Sequence, residues 1–141
     1  MPAANIIVLQ GHPRDRLRAL VSSVSEAMAQ VLAAPKERLE VWITEVDPEL
    51  WGVSGEPATD VLQTRPRREV EMPFVQMVLL EGRPPELLHL LMSRVTDAIA
   101  AELDVDRARI RIHIAQAHPD RWGIGGVPAS VARPAAAPAG S

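Results

Sequence analysis

Hydrophobic positions along the chain follow helical and strand-like periods, and the same order of periods occurs twice. Aliphatic runs that end at a glycine predict buried strands followed by turns. Segments with apolar side chains three and four residues apart predict amphipathic helices, and segments of alternating apolar and polar residues predict half-buried strands. In chain order, the segments are 5–9, 15–32 and 39–43 in the first half and 74–80, 86–103 and 110–114 in the second. The pattern therefore predicts strand–helix–strand in each half.

The two halves also match each other residue by residue. A shift of 71 residues places Pro2 on Pro73 and continues without a gap to Ala58 on Ala129. Roughly a third of the aligned positions are identical, which indicates an internal repeat. Two apolar helices can resemble each other by chance, but the match also aligns Trp51-Gly52 with Trp122-Gly123 and several glycines and prolines. We therefore interpret the chain as a tandem duplication.

The repeat predicts one shared fold. Two strands joined by a crossover helix form a parallel pair with a right-handed connection. A unit of this size conceals only about 60% of its unfolded surface, so the two units are expected to share one core. The predicted fold is α/β (α+β): a tandem β-α-β repeat that forms a four-stranded sheet with two helices on one face, and small hairpins near residues 51–55 and 122–126. The uncovered second face of the sheet predicts self-association.

The predicted boundaries follow the repeat. The first unit covers residues 1–58, a polar linker residues 59–72 and the second unit residues 73–131. Residues 132–141 contain mainly alanine and proline and are predicted to be a disordered tail. We interpret the cluster Arg65-Pro66-Arg67-Arg68 as part of a surface connector rather than as a nucleic-acid patch.

Composition narrows the function classes. The formal net charge is −3, which argues against nucleic-acid binding through a general basic field. The chain has no cysteine, which excludes disulfides, thiolate catalysis and zinc–cysteine sites. Its longest apolar runs are far shorter than the ~20 residues that span a bilayer, and no secretory signal is apparent, so a cytoplasmic protein is expected. The histidines have no spacing typical of a metal site; they are His12, His89, His113 and His118.

One residue has unusual chemical reactivity. Met1 is expected to be removed because the second residue is small, and Pro2 then carries a secondary amine with a usable lone pair. An ordinary α-amino group titrates near pH ~8, and burial or a neighbouring cation lowers such a value towards the range that suits a general base. The nitrogen of Pro73 belongs to a tertiary amide and has no basicity. The two repeats are therefore chemically unequal.

Several of these residues occur together in a known enzyme family. Pro2 to Gly11, Pro73 to Arg83 (with Leu80-Glu81-Gly82-Arg83) and Trp122-Gly-Ile-Gly-Gly126 resemble the corresponding segments of 4-oxalocrotonate tautomerases. Each repeat is similar to a whole subunit of that family, where a phenylalanine usually takes the place of the tryptophan. The chain thus resembles a fused, two-unit member of the tautomerase superfamily.

The resemblance implies the site. Pro2 corresponds to the catalytic base, Arg83 and Arg111 to the arginines that hold the substrate's carboxylate and oxo groups, and Trp122 to the apolar wall. The first repeat has His12 and Glu40 at the two arginine positions and keeps only the aromatic residue, Trp51. The first repeat has the basic amine but lacks the arginines, and the second has the arginines but lacks a basic amine. We therefore expect one kind of site, with Pro2 from the first repeat and the other three residues from second-repeat surfaces. The roles of His12 and Glu40 stay open.

The implied activity is a keto–enol isomerisation without cofactor or metal. Its substrates would be 2-hydroxydienoates or 2-oxo acids of the 2-hydroxymuconate or phenylenolpyruvate type, and the expected assembly is a homotrimer that contacts neither nucleic acid nor membrane. One alternative is a superfamily hydratase, dehalogenase or decarboxylase that acts on small three-carbon acids. Such relatives typically carry an additional arginine where this chain has Leu80, which counts against that alternative. A trimeric assembly protein without catalytic activity is the other alternative.

Overall fold

The computed structural model describes residues 2–133. The predicted disordered tail lies outside the described residues, apart from Ala132 and Arg133, and Ala132 ends a short helix. The elements of the first repeat are β1 (Ala3–Leu9), α1 (Arg14–Leu32), β2 (Glu40–Val46), β3 (Gly52–Val53), β4 (Glu56–Pro57) and α2 (Ala58–Val61). A helical turn, α3 (Arg67–Val70), follows in the linker. The second repeat contains β5 (Phe74–Leu80), α4 (Pro85–Leu103), β6 (Arg111–Ala117), β7 (Gly123–Ile124), β8 (Val127–Pro128) and α5 (Ala129–Ala132).

The two long helices begin and end in the same way. Pro13 and Pro84 precede their first turns, where an absent N–H breaks no helical hydrogen bond. Ala33 and Asp104 end them in the left-handed conformation. Each helix begins one residue before the predicted start. The second strand of each repeat continues three residues past its predicted end. Apolar and polar residues no longer alternate there, but pairing with the first strand continues.

The sheet confirms the predicted fold and shows how the repeats meet. The strand order is β2-β1-β5-β6. Strands pair in parallel within each repeat, whereas β1 and β5 pair antiparallel at the centre. Asn5 faces Gln76, which is also its counterpart in the repeat. A pseudo-twofold axis therefore passes through this pair and relates the two halves.

The hydrophobic core lies between the sheet and the two long helices. Alternate residues of β1 and β5 point into it, so both central strands present one buried face. The helices pack side by side on that face and contribute their predicted apolar stripes. Its fully buried larger side chains are Ile6, Val8, Leu20, Val24, Met28, Val75, Met77, Leu79, Leu91, Val95 and Ile99. Two helices thus cover one face of the sheet, as predicted.

The opposite face of the sheet is open in the single chain. Trp42 is 45% exposed and Phe74 is 37% exposed on that side. Such large exposed hydrophobic side chains fit a surface that another protein covers. Among residues 2–133, no helix is long and apolar enough to cross a membrane.

Adjacent leucines on α4 provide a test of this core. Replacing the fully buried Leu91 with alanine is expected to reduce the free energy of unfolding by about 2–5 kcal/mol, because the substitution leaves a cavity. Leu90→Ala is the matched control, since Leu90 is 42% exposed and its truncation should cost less than about 0.5 kcal/mol. Urea unfolding followed by circular dichroism measures both. Equal losses in the two variants would contradict the packing described here.

Candidate active site

Pro2 directly precedes β1, at the end of the sheet where this central strand begins. Its ring is buried, and its carbonyl oxygen accepts a hydrogen bond of 3.0 Å from the backbone N–H of Glu40. Since Ala3 pairs with Val78, the register places Pro2 across from Leu79, close to the carboxyl end of β5. We call this end of the sheet the Pro2 edge. The antiparallel pairing at the centre thus places the first residue of one repeat against the second repeat.

Arg83 follows β5 at the Pro2 edge. The turn passes through Gly82, whose φ of +115° suits glycine. The guanidinium of Arg83 is half-buried and donates a hydrogen bond of 3.2 Å to the carbonyl oxygen of Leu80. Burial lowers the pKa of Arg83, but an arginine stays cationic at physiological pH. A partly desolvated positive charge therefore lies beyond the strand position that faces Pro2.

Trp122 also follows a strand that ends at the Pro2 edge. The ends of β5 and β6 are joined by a 3.0 Å hydrogen bond from the N–H of Glu81 to the carbonyl of Ala117. The chain then enters the β7–β8 hairpin, and the carbonyl of Trp122 accepts a 2.8 Å hydrogen bond from Ala129 at its base. The indole is half-buried. A single chain thus directs three of the four predicted site residues to one edge of the sheet.

Arg111 lies at the opposite edge. It begins β6 and pairs with Phe74, the first residue of β5. Leu79 lies five positions after Phe74, so Arg111 is about 17 Å from Pro2 along the strand direction, in addition to its separation across the sheet. Its exposed guanidinium donates to the carbonyl of Ala108 at 2.8 Å. Arg111 and Pro2 of one chain therefore do not form a common site.

Glu40 occupies the strand position of the first repeat that corresponds to Arg111. It pairs with Ala3 and therefore lies at the Pro2 edge, with its side chain exposed. The Pro2 edge therefore carries the carboxylate of Glu40 at the position where the opposite edge carries the guanidinium of Arg111.

The far edge carries the counterparts of the Pro2 edge, but a different chemistry. Pro73 is buried there, and its nitrogen is an amide. His12 follows β1, as Arg83 follows β5, and Trp51 packs against a small cluster that contains Leu9 and Val70. The two edges thus have the same backbone arrangement with unequal side chains.

Sequence reasoning missed Glu71 at this far edge. Its side chain is fully buried and accepts hydrogen bonds from the N–H of Leu9 (2.9 Å) and from Arg67 (3.0 Å), while His12 Nε2 lies 2.7 Å from Oε1. The only sequence indication was a single acidic residue between Val70 and Met72 in a polar linker. Half of the residues in the predicted linker 59–72 are exposed, but Val61, Val70 and Glu71 are buried. The linker is therefore anchored near both ends.

Within residues 2–133, no group of three or more histidine or acidic side chains could hold a metal ion.

Comparisons with known proteins agree with the duplicated architecture. The family described as "Tautomerase enzyme" matches residues 2–61 and again residues 73–132. The 2-hydroxymuconate tautomerase of Pseudomonas sp. (strain CF600) is 43% identical over 61 residues, which is 43% of this chain and 97% of that protein. The 2-hydroxymuconate tautomerase of Pseudomonas fluorescens is 42% identical over 59 residues, which is 42% of this chain and 94% of that protein.

Solved structures match almost the whole chain. A native fused 4-OT superposes with a TM-score of 0.81 at 25% identity, and the superposition covers 92% of this chain and 97% of the fused 4-OT. The F6 fused 4-OT, a wild-type asymmetric trimer, has a TM-score of 0.81 at 23% identity and covers 93% of this chain and 98% of that chain. The likeness extends over both repeats and the linker between them.

Proposed function

Since this chain belongs to the tautomerase family, as an enzyme in which two family units are fused, we propose that it interconverts enol and keto forms of small 2-oxo acids. Its substrates are 2-hydroxydienoates of the 2-hydroxymuconate or phenylenolpyruvate type, and the amine of Pro2 is the general base. The observation that carries this proposal is the central strand register, which brings Pro2 of the first repeat to the edge where Arg83 of the second repeat lies.

Each group has a defined task in the proposed reaction. Pro2 takes the proton of the 2-hydroxyl group and returns a proton to a carbon further along the conjugated chain, so the net change is an isomerisation. Burial at Pro2 favours the neutral amine, which is the form that accepts a proton. Arg83 stabilises negative charge that develops on the dienolate oxygen. The guanidinium of Arg83 can also form two parallel hydrogen bonds to a planar carboxylate.

We infer that Arg111 completes the site from a neighbouring subunit. The side chain is exposed at the far edge of its own chain, so it is accessible to another copy. Fused 4-OT structures that resemble this chain include a wild-type asymmetric trimer and a wild-type symmetric trimer. A homotrimer would cover the open sheet face and join the Pro2 edge of one subunit to Arg111 of the next. Such a trimer has three sites.

An ultraviolet assay tests the activity. The wild-type protein is expected to accelerate the decay of the enol absorbance of 2-hydroxymuconate and of phenylenolpyruvate above the spontaneous rate. Intact mass spectrometry of the same preparation should show the mass without Met1. Loss of both enols at the spontaneous rate, in protein shown to begin with Pro2, would contradict the proposal.

The two tryptophans provide a matched test of the apolar wall. Trp122→Ala is expected to reduce kcat/KM by about tenfold through lost contact area, whereas Trp122→Phe keeps a wall and most of the activity. Trp51→Ala should instead lower thermal stability with little change in kcat/KM, because Trp51 packs against the cluster at the far edge. Steady-state kinetics and thermal melts distinguish the two roles. A larger kinetic defect in Trp51→Ala than in Trp122→Ala would overturn this assignment.

A further inference from the structure

The pseudo-twofold axis defines a position around Pro73 that corresponds to the proposed site around Pro2, and the chain itself fills that position. The side chain that enters is Glu71, which immediately precedes the Pro2-equivalent segment. This inference rests on the proposed function only in treating the position around Pro2 as a site. The contacts themselves are independent of any reaction.

Two donors and a histidine nitrogen surround the buried carboxylate of Glu71. The N–H of Leu9 donates to Oε2 at 2.9 Å, and Arg67 Nη1 donates to Oε1 at 3.0 Å. His12 Nε2 lies 2.7 Å from Oε1, with its side chain 6% exposed. Both carboxylate oxygens are thus bound, one of them by a cation. This combination of a guanidinium, an imidazole and a backbone N–H is a typical carboxylate site.

Arg67 also contacts the backbone of the turn that follows β1. Its guanidinium also donates to the carbonyl oxygens of Leu9 (3.3 Å) and Gln10. It passes so close to Gly11, at φ +121°, that a Cβ atom there would collide with it. The positive φ favours glycine at this position, and Arg67 occupies the space that a Cβ atom would take. The linker cation therefore lies over the turn that carries His12, at the position where the other repeat presents Arg83.

Further contacts hold the linker in this place. Val70 is fully buried in the cluster formed with Leu9, Val53, Ala58 and Val61. Arg109, from the second repeat, donates to the backbone carbonyls of Val70 (3.1 Å) and Glu71 (3.2 Å). The buried carboxylate is therefore anchored from both repeats.

We propose that Arg67, His12 and the N–H of Leu9 form a second carboxylate-binding site, and that Glu71 is its internal ligand. The linker thereby closes the position around Pro73, and each chain keeps one open site, at Pro2. An external ligand of matching chemistry is a small monocarboxylate such as formate, which binds only when the carboxylate of Glu71 is absent.

Chemical rescue of Glu71→Ala tests this proposal. The variant leaves Arg67 and the Leu9 amide without their buried carboxylate, and its Tm is expected to fall by about 5–10 °C. Sodium formate at 100 mM should raise the Tm of this variant by about 2–4 °C more than sodium chloride at the same ionic strength, because formate binds the folded state. The matched control is Glu69→Ala, which removes an exposed carboxylate two residues away in the same linker.

The control variants determine the interpretation. Formate should not stabilise the wild type, Glu69→Ala or the double variant Arg67→Ala/Glu71→Ala beyond the effect of chloride. If Glu71→Ala does not fold on expression, the yield of soluble protein after refolding in formate and in chloride gives the same comparison. An equal effect of both salts on Glu71→Ala, or an equal formate effect on Glu69→Ala, would overturn the proposal. Because the readout is stability, its failure would leave the tautomerase activity untouched, and an inactive wild type would not affect it.

Discussion

A chain that keeps Met1 and carries an inserted lysine in front of Pro2 is expected to lose about 10²- to 10⁴-fold in kcat for enol ketonisation, the range that a positioned general base contributes. Inserting a lysine between Met1 and Pro2 prevents removal of the methionine and turns the ring nitrogen into an amide. The ring and its carbonyl, which accepts the hydrogen bond from Glu40, are retained. The nitrogen loses its basicity, and the two added residues lie in front of it, as Glu71 and Met72 lie in front of Pro73.

Two substitutions serve as controls for this experiment. Pro2→Ala keeps a primary amine at the same place and should show a smaller loss than the inserted chain. Pro73→Ala changes the corresponding residue of the second repeat, whose nitrogen is an amide in any case, and should leave kcat within about twofold of wild type. Intact mass spectrometry verifies each N-terminus. Full activity in the chain with the insertion would exclude Pro2 as the base.

Mixing two impaired variants is expected to raise activity above that of either variant alone only when the missing residues come from different subunits. Pro2→Ala and Arg111→Ala chains, unfolded together and refolded at equal amounts, should recover about one quarter of the wild-type activity if a trimer with closed symmetry forms. The physical reason is the strand register, which separates Pro2 and Arg111 of one chain by much more than the reach of a substrate. A site is complete where an Arg111→Ala chain adjoins a Pro2→Ala chain that supplies the guanidinium.

The matched mixture uses Arg83 instead of Arg111. Arg83 and Pro2 lie at the same edge of one chain, so each site in a mixture of Pro2→Ala and Arg83→Ala chains lacks one of them. That mixture should show no more activity than the single variants refolded alone. The single variants refolded alone set the baseline, and each arginine substitution is expected to reduce kcat/KM by about 10- to 150-fold through loss of a charge-assisted hydrogen bond. Recovery with Arg83→Ala, or none with Arg111→Ala, would contradict the proposed division of the site.

The candidate site was only partly predictable because its residues depend on two levels of structure. Pro2, Arg83 and Trp122 could be predicted as site residues from the repeat and its resemblance to a family, since each occupies a local motif. Glu71 could not, because a glutamate in a polar linker looks solvated until the strand edge that buries it is known. The placement of Arg111 likewise required the register between β1 and β5.

The sequence by itself determined the duplication, the strand–helix–strand order and the chemical inequality of Pro2 and Pro73. These properties reside in local periodicity and in the covalent state of one nitrogen, which do not depend on distant contacts. Tertiary structure decided that the central strands run antiparallel, which residues share an edge and that the linker closes one of the two edges. Those outcomes come from hydrogen bonds and burial between segments far apart in the chain, and periodicity within a segment carries no information about them.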